Sequence, residues 1–130
     1  MTGRVVHFEI PFDDAGRAKD FYREVFGWRL QDMPQWDYVT VSSGPTREDG
    51  TATEPGYIGG GMTPRSDVNR ATVITIDTDD ADATLAAVAA HGGEVLQEKL
   101  PVGDMGFAAY FRDPEGNVVG LWQDAARPAT

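Results

Sequence analysis

Residues 4–27 read R-V-V-H-F-E-I-P-F-D-D-A-G-R-A-K-D-F-Y-R-E-V-F-G, and this stretch decides the fold. Arg4–Ile10 alternates, with Val6, Phe8 and Ile10 on one face and Val5, His7 and Glu9 on the other, the period of a half-buried strand. Asp13-Asp14 supplies side-chain acceptors that cap a helix N-terminus. Ala18, Phe21, Tyr22, Val25 and Phe26 then recur at helical spacing, an apolar stripe expected to enter the core. Gly27 ends the helix in the left-handed conformation that glycine adopts without steric cost.

The same grammar returns about 65 residues later, Gly27 matching Gly92 and His7 matching Thr72. Ala71–Asp77 (A-T-V-I-T-I-D) reads as a strand and Asp79-Asp80 as a second acidic cap. Ala81, Leu85, Val88 and Ala89 form a second helical stripe that stops at Gly92-Gly93. Three strands follow each helix: Trp28–Leu30, Trp36–Val41 and Tyr57–Met62 in the first half, then Glu94–Glu98, Phe107–Phe111 and Val118–Gln123. Asp113-Pro114-Glu115-Gly116-Asn117 joins the last two and carries strong turn chemistry. Ser42–Gly56 is almost free of apolar residues and reads as a long exposed loop, with a lid over a pocket as the functional alternative.

A repeat of this size implies two βαβββ modules packed into one α+β domain. Residues 4–62 form module one and 70–123 module two, within a domain spanning 1–124; residues 125–130 read as a frayed tail. Two such modules would share a curved, mostly antiparallel sheet, with helices outside and a concave cavity where a small ligand would sit.

The composition narrows the function further. The 130 residues carry 11 Lys and Arg against 21 Asp and Glu, a net charge of −10. Such a chain repels phosphate backbones and anionic lipid, which argues against nucleic-acid and membrane roles. There is no cysteine, so disulfides, thiolate metal sites and Cys nucleophiles are excluded together. No apolar stretch suits a signal peptide or membrane span, and a cytoplasmic location is expected. Neither a phosphate-binding loop nor a nucleophile elbow is present.

V-V-H-F-E-I-P at 5–11, F-Y-R-E-V-F-G-W at 21–28 and D-P-E-G-N-V-V-G-L-W-Q at 113–123 resemble the vicinal oxygen chelate superfamily. That group holds the glyoxalases, bleomycin-resistance proteins and extradiol dioxygenases. The resemblance runs from Arg4 to Gln123 and is nearest to the glyoxalase-like proteins of bacteria. It implies a cavity in which a divalent ion, held by first-strand and last-strand ligands of each module, polarises neighbouring substrate oxygens. His7 matches the first-strand ligand of module one. The matching place in module two is Thr72, or Val73 if the offset is 66. The last-strand ligand, commonly Glu in D-P-x-G-N-x-x-E, is Gly120 here, and its module-one counterpart falls within Gly59-Gly60-Gly61. A catalytic ion keeps two or three protein ligands beside an open position. One imidazole does not meet that requirement, so no metal ligand set and no cofactor are expected; a divalent ion held through His7 is the alternative.

His7 and Glu9 share a strand face, and together they form the candidate acid/base or anchoring pair, with a leftover buried hydrogen bond as the structural alternative. The candidate ligand-binding set is Trp36, Tyr38, Tyr57, Gly60, Thr72, Phe107, Gly120 and Trp122. Trp122 shares the parity of Gly120, and a mid-strand glycine marks close approach of a ligand or another backbone. His91 at the end of the second helix reads as a partner of the helix dipole. The expected function is therefore binding of a small, partly apolar molecule in a cavity without a metal centre. The alternatives are a metal-dependent glyoxalase-like lyase or dioxygenase using His7, and a non-catalytic structural or partner-binding domain. The resemblance further implies a homodimer.

Overall fold

The computed structural model of the chain describes residues 3–125. Its chain order is β1 (Val5–Phe12), α1 (Ala15–Phe26), β2 (Arg29–Met33), a 3-10 turn (Pro34–Trp36), β3 (Tyr38–Ser42) and β4 (Gly60–Pro64). There follow β5 (Val73–Asp77), α2 (Ala81–Ala90), β6 (Glu94–Val102), β7 (Gly106–Arg112) and β8 (Val118–Asp124). This is an α+β fold built of two βαβββ modules. Among the described residues the chain separates into two compact units, 6–73, and 74–125 together with 3–5.

In the Val6–Val73 unit the strands run β2-β3-β4-β1, antiparallel except for the parallel β4–β1 pair. Asp14 caps α1 by accepting from the Arg17 N–H, and Gly27 closes it at φ 71°. Val39, Val41 and Met62 form the core, with Phe8, Ile10, Phe12, Ala18, Tyr22 and Trp28 packed on them. Met62 is fully buried, which is worth about 2–3 kcal/mol of transfer free energy. The α1 stripe behaves differently from expectation, because only Ala18 and Tyr22 reach this core. Phe21 and Phe26 are mostly exposed.

In the other unit the order is β5-β8-β7-β6, with β5–β8 parallel and the rest antiparallel. Leu85, Ala109 and Leu121 make its core, with Ile76, Val95 and Phe111 against them. Asp80 caps α2 and Gly92 turns the chain away at φ 94°. Of the second stripe, Ala81 and Leu85 are the buried members.

Several boundaries move. Trp36 lies on the 3-10 turn rather than a strand, since Pro34 sets the turn and Asp37 adopts φ 49°. β4 begins at Gly60, which leaves Tyr57 in the preceding loop. That loop is internally tied: Thr46 bridges Ala52, and the Tyr57 hydroxyl donates to the Pro45 carbonyl at 2.6 Å. Asp124 ends β8, and the Ala125 N–H donates to the Met105 carbonyl; the rest of the expected tail, 126–130, lies outside the described residues. No helix among the described residues is long and apolar enough to cross a membrane.

Candidate functional site

Alternation along β1 turns Phe8, Ile10 and Phe12 towards α1, so His7 and Glu9 project from the opposite face. Gly61 on β4 pairs with Glu9, and Thr40 on β3 pairs with Gly61. Tyr38, two residues before Thr40, shares this face. Its Oη and His7 Nε2 share a hydrogen bond at 2.8 Å, with the two rings only 15° from parallel. The phenol lies across Gly61, and a Cβ built there would overlap Tyr38 Oη and Cζ. Glycine at 61 is thus the condition for the His7–Tyr38 bond, and the space above it is filled by a side chain of the next strand.

Glu9 is 7% exposed, and a carboxylate so placed must be hydrogen-bonded. Asn69 Nδ2 donates to Glu9 Oε1 at 3.3 Å. Asn69 is itself held by a turn in which its N–H donates to Ser66 Oγ at 3.0 Å. Burial pushes the His7 pKa below its usual value near 6.5, outweighing the Glu9 carboxylate, which pulls it upward. His7 is therefore a neutral imidazole at pH 7. The first module offers a neutral imidazole, a phenol, a buried carboxylate and a carboxamide on one sheet face.

In the second module the α2 cap, Asp80, matches Asp14 at an offset of 66, so His7 corresponds to Val73 and Glu9 to Thr75. Thr75 pairs with Gly120 as Glu9 pairs with Gly61, and Tyr110 pairs with Gly120 from the other side. A Cβ at Gly120 would lie 2.9 Å from Thr75 Oγ1 and 3.4 Å from the Tyr110 ring. Trp122 shares that face; its Nε1 donates to Asp124 Oδ1 at 2.7 Å and its indole covers Gly106.

The structure thus brings His7, Glu9 and Tyr38 together, and sets Gly120 beside Trp122 in the other unit. The remaining candidates stand elsewhere. Gly60 faces α1, where a Cβ would meet the Phe8 ring at 2.6 Å. Phe107 pairs with Gln123 on the α2 side and carries the Lys99 ammonium 4.8 Å above its ring. Tyr57 closes its own loop, Trp36 is 41% exposed, and Thr72 is exposed ahead of β5. Sequence reasoning misses Asn69, which sits in a linker without periodicity. It also misses Tyr110, although folding the final hairpin about Glu115 sets 110 against 120.

The donors do not suit a divalent ion. Among the described residues no three of His, Cys, Asp and Glu lie together as a metal would need. His7 Nε2 is engaged by a phenol, and the residues opposite Glu9 and Thr75 are glycines. Two surface clefts of the Val6–Val73 unit, of about 290 and 500 Å³, open elsewhere: one along α1 near Phe12 and Tyr22, the other beside Trp28 and Thr40.

Comparisons with known proteins agree with this architecture. A family model described as bleomycin resistance protein-like N-terminal matches residues 4–44. CFP32 of Mycobacterium tuberculosis, a glyoxylase by its name, is 34% identical over 114 residues, covering 85% of this chain but 41% of CFP32. The chain therefore spans less than half the length of that relative. A glyoxylase-like domain-containing protein of Didymella fabae is 30% identical over 122 residues, covering 90% of this chain and 91% of its own. Among solved structures, a methylmalonyl-CoA epimerase in complex with methylmalonyl-CoA and NH4+ superposes with a TM-score of 0.66 at 21% identity, covering 97% of each chain. That likeness is one of fold. With the duplicated βαβββ module and full-length relatives of this kind, the chain belongs to the vicinal oxygen chelate superfamily, alongside the glyoxalases and bleomycin-resistance proteins.

Proposed function

We propose that this chain binds a small, partly apolar molecule against the His7–Tyr38–Glu9 face of its first module, through hydrogen bonds and without a resident metal ion. One observation carries the reading: the Tyr38 phenol lies over Gly61 and bonds His7 Nε2. A polar side chain occupies the position in which the resemblance would have a ligand carboxylate. A neutral imidazole and a phenol exchange donor and acceptor roles readily, which suits a carbonyl or hydroxyl oxygen on a ligand. The flat faces of the His7 and Tyr38 rings suit an apolar or aromatic body. A fold neighbour that holds methylmalonyl-CoA is in keeping with a small-molecule occupant. We also infer that the chain pairs with a second copy, as the resemblance implies.

Two measurements test the binding proposal. Calorimetric titration of metal-stripped protein with Zn2+, Ni2+ and Co2+ should give no stoichiometric binding that depends on His7. Tight binding of one equivalent, abolished in His7→Ala, would overturn the metal-free reading. An amide-shift screen against small carbonyl and aromatic fragments should perturb His7, Glu9 and Tyr38 together, with weaker binding in Tyr38→Phe. Fragments that perturb only other surfaces would remove the site.

A further inference from the structure

The cleft beside Trp28 does not reach His7, yet it opens off the same sheet face. β2 is the outermost strand, and the cleft wraps its free edge. Arg29 and Gln31 of β2 pair with Ser42 and Thr40 of β3. Directly opposed residues point to one side of a sheet, so all four project with Tyr38, away from the core under α1. Thr40 pairs on its other side with Gly61, the glycine over which the Tyr38 phenol lies. The ground from Arg29 to the His7–Tyr38 bond is therefore continuous: a guanidinium and a carboxamide, then two hydroxyls, then an aromatic ring.

Charge gives this end of the face its character. The chain carries 21 acids against 11 bases, yet Arg23 and Arg29 line this cleft of about 500 Å³ and no acid does. The two arginines differ. Arg23 donates to Asp20 at 3.1 Å, a pair within its own helix. Arg29 is exposed and has neither an ion pair nor a side-chain hydrogen bond among the described residues. The Gln31 amide and the Ser42 hydroxyl are equally uncommitted there, whereas the Thr40 hydroxyl donates to the Gln31 carbonyl at 3.3 Å. The donors left over are a guanidinium fork, an NH2 and an OH, a set that suits an oxygen anion. A planar fork matches a carboxylate with two parallel hydrogen bonds. The net charge of −10 opposes a dianion more than a monoanion, which favours carboxylate over phosphate. Glu9, buried at the far end of the face, repels a carboxylate placed beside it. The polarity of the face thus runs from acid at β1 to base at β2.

We propose that the β2 cleft seats the carboxylate of a small organic acid whose aromatic or apolar body lies on the Tyr38 ring. This rests on the reading above that the His7–Tyr38–Glu9 face binds a small, partly apolar molecule, and it names that molecule's class and orientation. β2 and β4 lie about 10 Å apart across β3, a gap that the Arg29 side chain and a short carbon arm close together.

NMR titration of the full chain with hydrocinnamate, a phenyl ring on a short arm ending in a carboxylate, and with its neutral amide tests this. Hydrocinnamate should shift the amides of Arg29, Gln31, Thr40 and Ser42 together with His7 and Tyr38. It should bind in the millimolar range, about tenfold tighter than the amide. Arg29→Gln alters an exposed position and should erase that preference while leaving affinity for the amide as it was. Equal affinity for acid and amide, or a preference that survives Arg29→Gln, overturns the carboxylate seat; shifts at His7 and Tyr38 with both probes would then leave the binding face standing. Carboxylate-dependent shifts confined to Arg29, Gln31 and Ser42 overturn the claim that seat and face hold one molecule. Tighter binding of phenyl phosphate than of hydrocinnamate overturns the choice of carboxylate, and no shift from any probe at about 10 mM overturns the proposal outright.

Discussion

Replacing Gly61 with alanine should damage the first module far more than one methyl group ordinarily does. Gly61 is not in the left-handed region, so alanine fits its backbone, and a mid-strand Gly→Ala change alone would gain about 0.5–1 kcal/mol. The added Cβ, however, overlaps Tyr38 Oη and Cζ, so the ring must leave its place over β4. Losing the His7–Tyr38 hydrogen bond costs about 1 kcal/mol, and forcing a ring out of a packed position about 1–3 kcal/mol. The net destabilisation is roughly 1–3 kcal/mol, or about 3–12 °C in Tm for a chain of this length. Urea unfolding followed by tryptophan fluorescence measures it, and a double-mutant cycle isolates the cause. In a Tyr38→Ala background the same Gly61→Ala change should be neutral or stabilising, a coupling of about 1–3 kcal/mol. Equal cost in both backgrounds, or a wild-type midpoint for Gly61→Ala alone, would refute the argument that glycine is there to seat the phenol.

The remaining predictions concern charge, burial and caps. The folded pKa of His7 is lowered, so below about 6.5 the unfolded chain takes up a proton that the folded chain refuses; stability should fall as pH drops from there towards the folded value, and His7→Gln should abolish this part of the slope in urea midpoints. Glu9→Gln removes the carboxylate that pulls His7 upward, so NMR titration should find the His7 pKa lower still; an unchanged titration means the two groups do not interact. Asn69→Leu withdraws a donor from a buried carboxylate and should cost about 1–3 kcal/mol, whereas a loss below a few tenths would show that Asn69 does not support Glu9. Gly27→Ala, at φ 71°, should cost about 1 kcal/mol in thermal unfolding with the His7 titration unaltered.

What the sequence makes legible here is local. Both helix caps, the glycines that end the helices and the alternation of β1 depend on neighbours within a few residues, and each appears where the pattern predicts. Facing is harder to read. The five-residue stripe of α1 reads as an amphipathic helix, yet the Tyr22–Trp28 stack decides which of its residues meet the sheet. Register is harder again. Gly60 and Gly61 differ by one position and so face opposite sides of the sheet. Only the pairing of Glu9 with Gly61 puts Gly61 on the face of His7 and Gly60 against Phe8. The His7–Tyr38 bond joins residues 31 apart across strands whose order no periodicity reveals. Trp36 shows the opposite case: a legible Pro34 is enough to break the strand that its aromatic neighbours suggest.

The internal repeat gives the site its logic. In each module a glycine on the last strand pairs with a first-strand residue, Glu9 with Gly61 and Thr75 with Gly120. In each, a tyrosine from the adjoining antiparallel strand lies close to that glycine, Tyr38 to Gly61 and Tyr110 to Gly120. Glycine inside a strand is unfavourable by about 0.5–1 kcal/mol, and both are offset by an aromatic ring that a larger residue would crowd. The modules differ in what the first strand brings. His7 and Glu9 meet the tyrosine of module one, whereas Val73 and Thr75, neither of them an acid or a base, hold the matching places in module two. Ionisable chemistry is therefore concentrated in the first module although the frame is common to both. If that asymmetry is functional, Tyr38→Phe and Tyr110→Phe should part company: the first should weaken binding of a carbonyl ligand by about tenfold, the loss of one hydrogen bond, while the second leaves that affinity unchanged. Equal losses in calorimetric titration would show that the two tyrosines are interchangeable and that the imidazole and carboxylate of module one add nothing to recognition.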